Sequence, residues 1–382
     1  MSTFTYVLMM GAVLLSVSPA MARRGLQVVA KIDLTYKKPD FSRATPVKLM
    51  SQGALLYLGK GIWKKQQTLH FFRLADNKRF TVEAPLDGFL RSPKYTHIAG
   101  DRRSVHKRFL LEKVVYYDEK SGEAGLQVTD HNHRQTKERR TFLLRWDLRK
   151  KKILDATMLG KKVYREPSPY FIPLYFDPIR REMFYAMSWK AENGHGRLVI
   201  RGYSEGKTRV VTRFKTKRRL GSHAFPDRAQ NRVLLVEYAE SGDERLPPRG
   251  YLVDTTNGKM MAMDMPLTAY GVAFAPGDKQ IFSCSAQRGS LWTIDALRGK
   301  KLKSRRIGKL CHAMGFIDDK RVVVIRNAGL HVFRLTPRGL RRDKTFRTKT
   351  FHRGFVNTGG SLLAPGRVLV QIGSTLYVIA IP

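Results

Sequence analysis

Apolar residues in this chain come in short clustered or alternating runs, and past the first 22 residues they never settle into helical spacing. One kind of run, aromatic and aliphatic and closed by a polar turn, keeps returning. It occupies residues 68–74 before Asn77 and Lys78, 141–147 before Arg149 and Lys150, and 197–201 before Gly206 and Lys207. Further copies fill 251–254 before Gly258 and Lys259, 291–295 before Gly299 and Lys300, 330–335 before Arg338 and Gly339, and 376–380 close to the C-terminus. A second apolar run precedes each copy, at 54–58, 109–117, 182–187, 232–236, 280–284, 321–325 and 367–371. Both kinds are rich in β-branched and aromatic residues and are separated by Gly, Asn, Asp or Pro, which is the composition of strands. Seven pairs imply seven repeats of one all-β unit.

The clearest unit spans 269–308, close to the roughly 40–45 residues of one four-stranded propeller blade. It holds an inner strand and turn at 270–279, a second strand at 280–286, a third at 291–295 and an outermost one at 301–307. Gly271, Val272, Ala273 and Phe274, followed by a Pro276 turn, and Thr293, Ile294 and Asp295, followed by Gly299 and Lys300, resemble the blades of YVTN-type and WD-repeat-like secreted β-propellers. The order of Gly277 and Asp278 departs from the Pro-Asp-Gly turn of that pattern. The resemblance implies the fold and says nothing about activity. The expected architecture is a seven-bladed β-propeller of four-stranded antiparallel blades, formed as one domain by residues 23–382. The last blade, from 350 onward, has room for three strands only. The strand-like run at 25–34 has no blade of its own, so it is expected to complete the last sheet and close the ring.

Two polar stretches, 118–140 and 238–249, exceed what a hairpin needs. They read as long loops between the second and third strands of their blades.

At the N-terminus, an apolar run from 7 to 17 is followed by Ala20, Met21 and Ala22, the small-residue pattern of a signal-peptidase site. Residues 1–22 are therefore expected to be a signal peptide, with the mature chain exported to the periplasm or secreted. About 11 apolar residues are too few to span a bilayer, and no later stretch is long and apolar enough, so no transmembrane anchor is expected after cleavage. Cys284 and Cys311 are the two cysteines. They read equally as a disulfide suited to an oxidising compartment or as two buried thiols.

Lys and Arg number 71 against 31 Asp and Glu, a formal charge of +40. That excess attracts polyanions as well as maintaining solubility. The cations gather on the expected outermost strands and the turns into them: Arg149 to Lys152; Lys215, Lys217, Arg218 and Arg219; Lys301, Lys303, Arg305 and Arg306; Arg341 and Arg342. Charge on an edge strand also guards against edge-to-edge pairing, but these runs are longer than that purpose needs. The expected partners are an anionic polymer, a membrane surface or an envelope protein, with extracellular nucleic acid a further candidate. Stacking on nucleic acid would call for exposed aromatics such as Phe214 or Phe346, which read better as core.

Catalytic chemistry has little support. His97, His223 and His312 stand near the starts of inner strands and could in principle converge on a metal, whereas strand alternation turns His352 away. His131 and His133 lie in the polar 118–140 stretch. No nucleophile elbow, P-loop, zincin helix or calcium loop occurs, and no cofactor is expected. The sequence thus points to a non-enzymatic extracytoplasmic binding or scaffold propeller recognising an anionic envelope component or a protein. The competing reading is a lyase or hydrolase, metal-dependent or not, acting on an acidic polysaccharide at the channel mouth.

Overall fold

The structure, a computed structural model, describes residues 27–33, 48–50, 55–63, 66–84, 109–130, 138–163, 170–177, 179–189, 196–204, 207–216, 220–237, 249–266, 269–285, 289–308, 311–326, 329–337, 339–347, 366–372 and 375–381. These residues form 27 strands and no helix. An initial strand, β1 (Gln27–Asp33), precedes the blades. Blade I contains β2 (Lys48–Met50), β3 (Leu55–Trp63), β4 (Gln66–Arg73) and β5 (Lys78–Ala84), and blade II contains β6 (Phe109–Asp118), β7 (Glu123–Asp130), β8 (Glu138–Asp147) and β9 (Lys152–Val163). Blade III contains β10 (Tyr170–Asp177), β11 (Glu182–Trp189), β12 (Gly196–Ser204) and β13 (Lys207–Thr216). Blade IV is β14 (Leu220–Pro226), β15 (Arg232–Glu237), β16 (Arg249–Asp254) and β17 (Met260–Asp264), and blade V is β18 (Ala269–Phe274), β19 (Gln280–Ser285), β20 (Ser290–Asp295) and β21 (Lys301–Arg306). Blade VI is β22 (Cys311–Phe316), β23 (Arg321–Arg326), β24 (Gly329–Thr336) and β25 (Gly339–Arg347), and blade VII carries β26 (Arg367–Ile372) and β27 (Thr375–Ala380).

Six sheets are four-stranded, with consecutive strands paired in chain order, and the seventh has the order β1-β27-β26. The first strands of neighbouring blades touch, as β10 does β6 and β14, and β18 does β22. The first strands therefore face the axis and the fourth strands form the outside. Apolar clusters fill every seam in cyclic order: I with II, II with III, III with IV, IV with V, and V with VI. The last cluster joins blade VII to both VI and I. That cycle is what makes the seven sheets a ring.

β1 fastens it. The strand runs antiparallel to β27, with Lys31 opposite Tyr377 and Ile32 opposite Leu376, and so takes the fourth place in blade VII. Val28, Ala30 and Ile32 are buried in the seam cluster while Lys31 faces outward, the alternation of a half-buried strand. The innermost strand expected for this blade lies outside the described residues.

Blade II departs from the sequence reading. Residues 109–117 belong to the first strand of the blade, not the second, and the stretch read as a loop from 118 contains the second strand, β7. The reason is that both faces of β7 are buried, but only one is apolar. Ala124, Leu126 and Val128 pack in the seam with blade I, whereas Glu123, Gln127 and Thr129 are buried on the other face. Residues 131–137, with His131 and His133, and the expected loop up to residue 248 lie outside the described residues.

Cys284 on β19 and Cys311 on β22 are joined in a disulfide with Cα atoms 6.1 Å apart, binding blade V to blade VI.

Candidate functional site

Among the described residues, many acids are engaged in the framework. At turns between third and fourth strands, Asp147 accepts from Lys150 N (2.9 Å), Asp254 from Thr256 N (2.8 Å) and Asp295 from Leu297 N (2.8 Å). At turns between first and second strands, Asp177 accepts from Ile179 N (2.9 Å) and Asp318 from Arg321 N (2.7 Å). Asp227 takes both Asn231 N and the Arg232 guanidinium, each at 2.9 Å. Burial opposes ionisation of Asp318, but the hydrogen bonds from Arg321 and from backbone amides prevail and hold it below the usual carboxylate range.

Other acids and polar groups brace strands and seams. Arg209 binds Glu182 through two hydrogen bonds, at 2.7 and 2.8 Å, and reaches Thr255 O of the next blade at 2.7 Å. Tyr175 contacts the same threonine hydroxyl at 2.9 Å, and burial pushes its phenol up to about 12. Arg73 of blade I bonds Glu119 of blade II, and Arg367 of blade VII bonds Leu74 O of blade I.

A large share of the exposed outer-edge side chains is cationic. All six residues of β21 are exposed, and Lys301, Lys303, Arg305 and Arg306 are four of them. Lys301 lies over the Trp292 ring with Nζ 4.6 Å from its centroid, and Arg305 lies 6.0 Å from the Phe333 centroid of the next blade. Arg341, Arg342 and Lys344 are exposed on β25. Between the two outer edges, Arg305, Thr336, Pro337, Gly339, Leu340 and Arg341 line an open cleft of about 470 Å³. Lys215 is exposed on β13 with Arg213, while Lys217, Arg218 and Arg219 lie outside the described residues.

Sequence reasoning placed these cations on outer strands but overlooked the apolar residues beside them: Met260 on β17, Leu302 on β21 and Leu297 in the turn before it are all exposed. The signal was present in the run Met260, Met261, Ala262, Met263, an uncharged stretch where the other blades carry Lys or Arg.

The side chains of the metal candidates are not among those described. His97 lies outside the described residues. His223 and His312 fall on β14 and β22, but their side chains also lie outside what is described. Pairing shifts register between Leu220 and Ala224 and again between Cys311 and Ala313, so the strict alternation used to relate the histidines does not hold there. No group of three metal-ligating side chains occurs among the described residues. Phe346 is buried, and Phe214 packs in the seam of blades III and IV, 4.9 Å from Tyr251; neither serves as a stacking platform.

In its strand order and ring closure the protein is a seven-bladed β-propeller. No family model matches the chain, and no curated protein matches it. Among solved structures it is similar to the C-terminal WD40 domain of Sif2, at 12% identity over 94% of this chain and 99% of that one, with a TM-score of 0.49. It is also similar to Hsv2p of Kluyveromyces lactis, at 12% identity over 76% of this chain and 75% of that one, with a TM-score of 0.44. A chain of a nidogen/laminin complex is similar at 11% identity over 78% of this chain and 94% of that one, with a TM-score of 0.38.

Proposed function

We propose that this propeller is an extracytoplasmic binding or scaffold module that holds an anionic envelope component against its outer edge. The observation that carries the reading is β21, an outermost strand with every residue exposed and four cations in six positions. Many of the described acids are engaged in turns and seams, and the cations of β21 are exposed where a large partner can reach them. Export is supported by the leader pattern of residues 1–22 and agrees with a disulfide between Cys284 and Cys311.

The test is retention on immobilised heparin as salt is raised. Ion-pair attraction at an exposed surface is screened over about 8 Å at physiological ionic strength, so the wild type should be retained at low salt and elute as salt rises. Replacing Lys301, Lys303, Arg305 and Arg306 by Ala should move elution to clearly lower salt with unchanged circular dichroism. Equal elution of variant and wild type would remove β21 from the site.

A further inference from the structure

Resting on that reading, we infer that the anionic partner is a lipid bilayer surface, and that the edge of blades III to V docks on it through an apolar strip set among cations. Most of the large apolar side chains left exposed among the described residues lie on outer strands or beside them: Leu154 and Met158 on β9, Val210 on β13, Met260 on β17, Leu297 and Leu302 at β21. Ile179, in an inner turn of blade III, is the exception.

Three of the outer strands are physically joined. Gly258, in the turn before β17, packs so closely on β13 that an added Cβ would lie 2.1 Å from Val211 O. Gly299, in the turn before β21, approaches β17 in the same way, its added Cβ 2.3 Å from Ala262 O. Asp264 N also donates to Gly299 O at 2.8 Å. Val210, Met260, Leu297 and Leu302 therefore belong to one continuous edge. Exposed Arg213, Lys215, Lys259, Lys300, Lys301 and Arg306 are interspersed along it.

This composition distinguishes among polyanions. A soluble polysaccharide or nucleic acid would use the cations and gain nothing from Met260, Leu297 or Leu302, which are 40%, 66% and 51% exposed. A bilayer interface uses both: anionic headgroups attract the Lys and Arg side chains, and the boundary with the acyl chains takes up apolar ones. Methionine, flexible and polarizable, suits such an irregular contact.

The experiment compares binding to mixed phosphatidylcholine–phosphatidylglycerol vesicles with binding to heparin, for the full chain and for a variant with Met260→Ser, Leu297→Ser and Leu302→Ser. The wild type should still sediment with vesicles at the salt concentration that elutes it from heparin, because apolar insertion is not screened. At that salt the variant should lose vesicle affinity by about tenfold per side chain, yet elute from heparin with the wild type. A variant that binds vesicles as well as the wild type, or a wild type released from vesicles and heparin at the same salt, would overturn the inference and leave the edge to a soluble polyanion or a protein. A wild type that binds neither support would bring down the proposed function as well.

Discussion

Glu123 receives the Arg145 Nε hydrogen bond at 2.8 Å in the seam between blades II and III, with both side chains only 8% exposed. Tyr116 and Arg181 donate to the same carboxylate, Arg181 reaching across from blade III. One acid thus gathers three hydrogen-bond donors beside the apolar cluster of that seam.

Removing that acid strands Arg145 in the interior. Breaking a buried pair on one side typically costs about 3–5 kcal/mol, so Glu123→Ala should lower stability by that order in urea unfolding. Burial alone would raise the Glu123 carboxyl, but hydrogen bonds from Arg145 and Tyr116, with the charges of Arg145 and Arg181, hold it below its ordinary 4.5. A group depressed in the folded state contributes stability that is complete above the unfolded value and is lost as pH falls through the folded one. The wild type should therefore weaken as pH drops below about 4.5, and Glu123→Gln should show a shallower loss there while starting from a lower plateau. Parallel pH profiles for the two proteins would contradict this role.

The same seam shows where the sequence was legible and where it was not. Third strands and six of the seven second strands announced themselves by their apolar runs, and in β15 Val233, Leu234 and Leu235 are buried on both faces. β7 hid because Glu123, Gln127 and Thr129 give one of its buried faces a polar sequence, and the partner of Glu123 across the seam, Arg181, lies on a blade that the local sequence does not reveal. The cationic edge was legible, since solvent-exposed charge leaves its runs intact in the sequence. Its apolar strip was not, because exposure of Met260 depends on β17 being the last strand of its sheet, a fact of topology.

The disulfide between Cys284 and Cys311 spans a separation of 27 residues and links two blades. Closing a loop of that length in the unfolded chain is worth roughly 3–4 kcal/mol. Cys284→Ser with Cys311→Ser should unfold at lower denaturant by a corresponding amount, and thiol titration of the unreduced wild type should find none free. Two titratable thiols in the unfolded, unreduced protein would contradict the bond.

Gly258 has a φ of +76° and packs on the Val211 carbonyl. Gly258→Ala must strain the backbone and push β13 from the turn of blade IV, a loss of about 1–3 kcal/mol. Gly277, with a φ of +78° but open space around it, supplies the control. Gly277→Ala should bear the backbone strain alone and lose less in thermal unfolding.

Ring closure rests on β1, whose Ile32 is 4% exposed. Ile32→Ala should cost about 2–5 kcal/mol, a core-sized penalty, because the ring pairs this residue with Leu376 at the other end of the chain. A loss below about 0.5 kcal/mol, the scale of a surface substitution, would mean that β1 is not part of the sheet.

The claim that binding occurs on the outer edge is tested most directly by footprinting lysine acetylation in the presence and absence of heparin. Lys301, Lys303 and Lys344 should become protected while Lys120 and Lys320, in the turns between first and second strands, keep their reactivity. Protection confined to Lys120 and Lys320, with β21 and β25 labelled as before, would place the ligand at the inner turns and contradict the account.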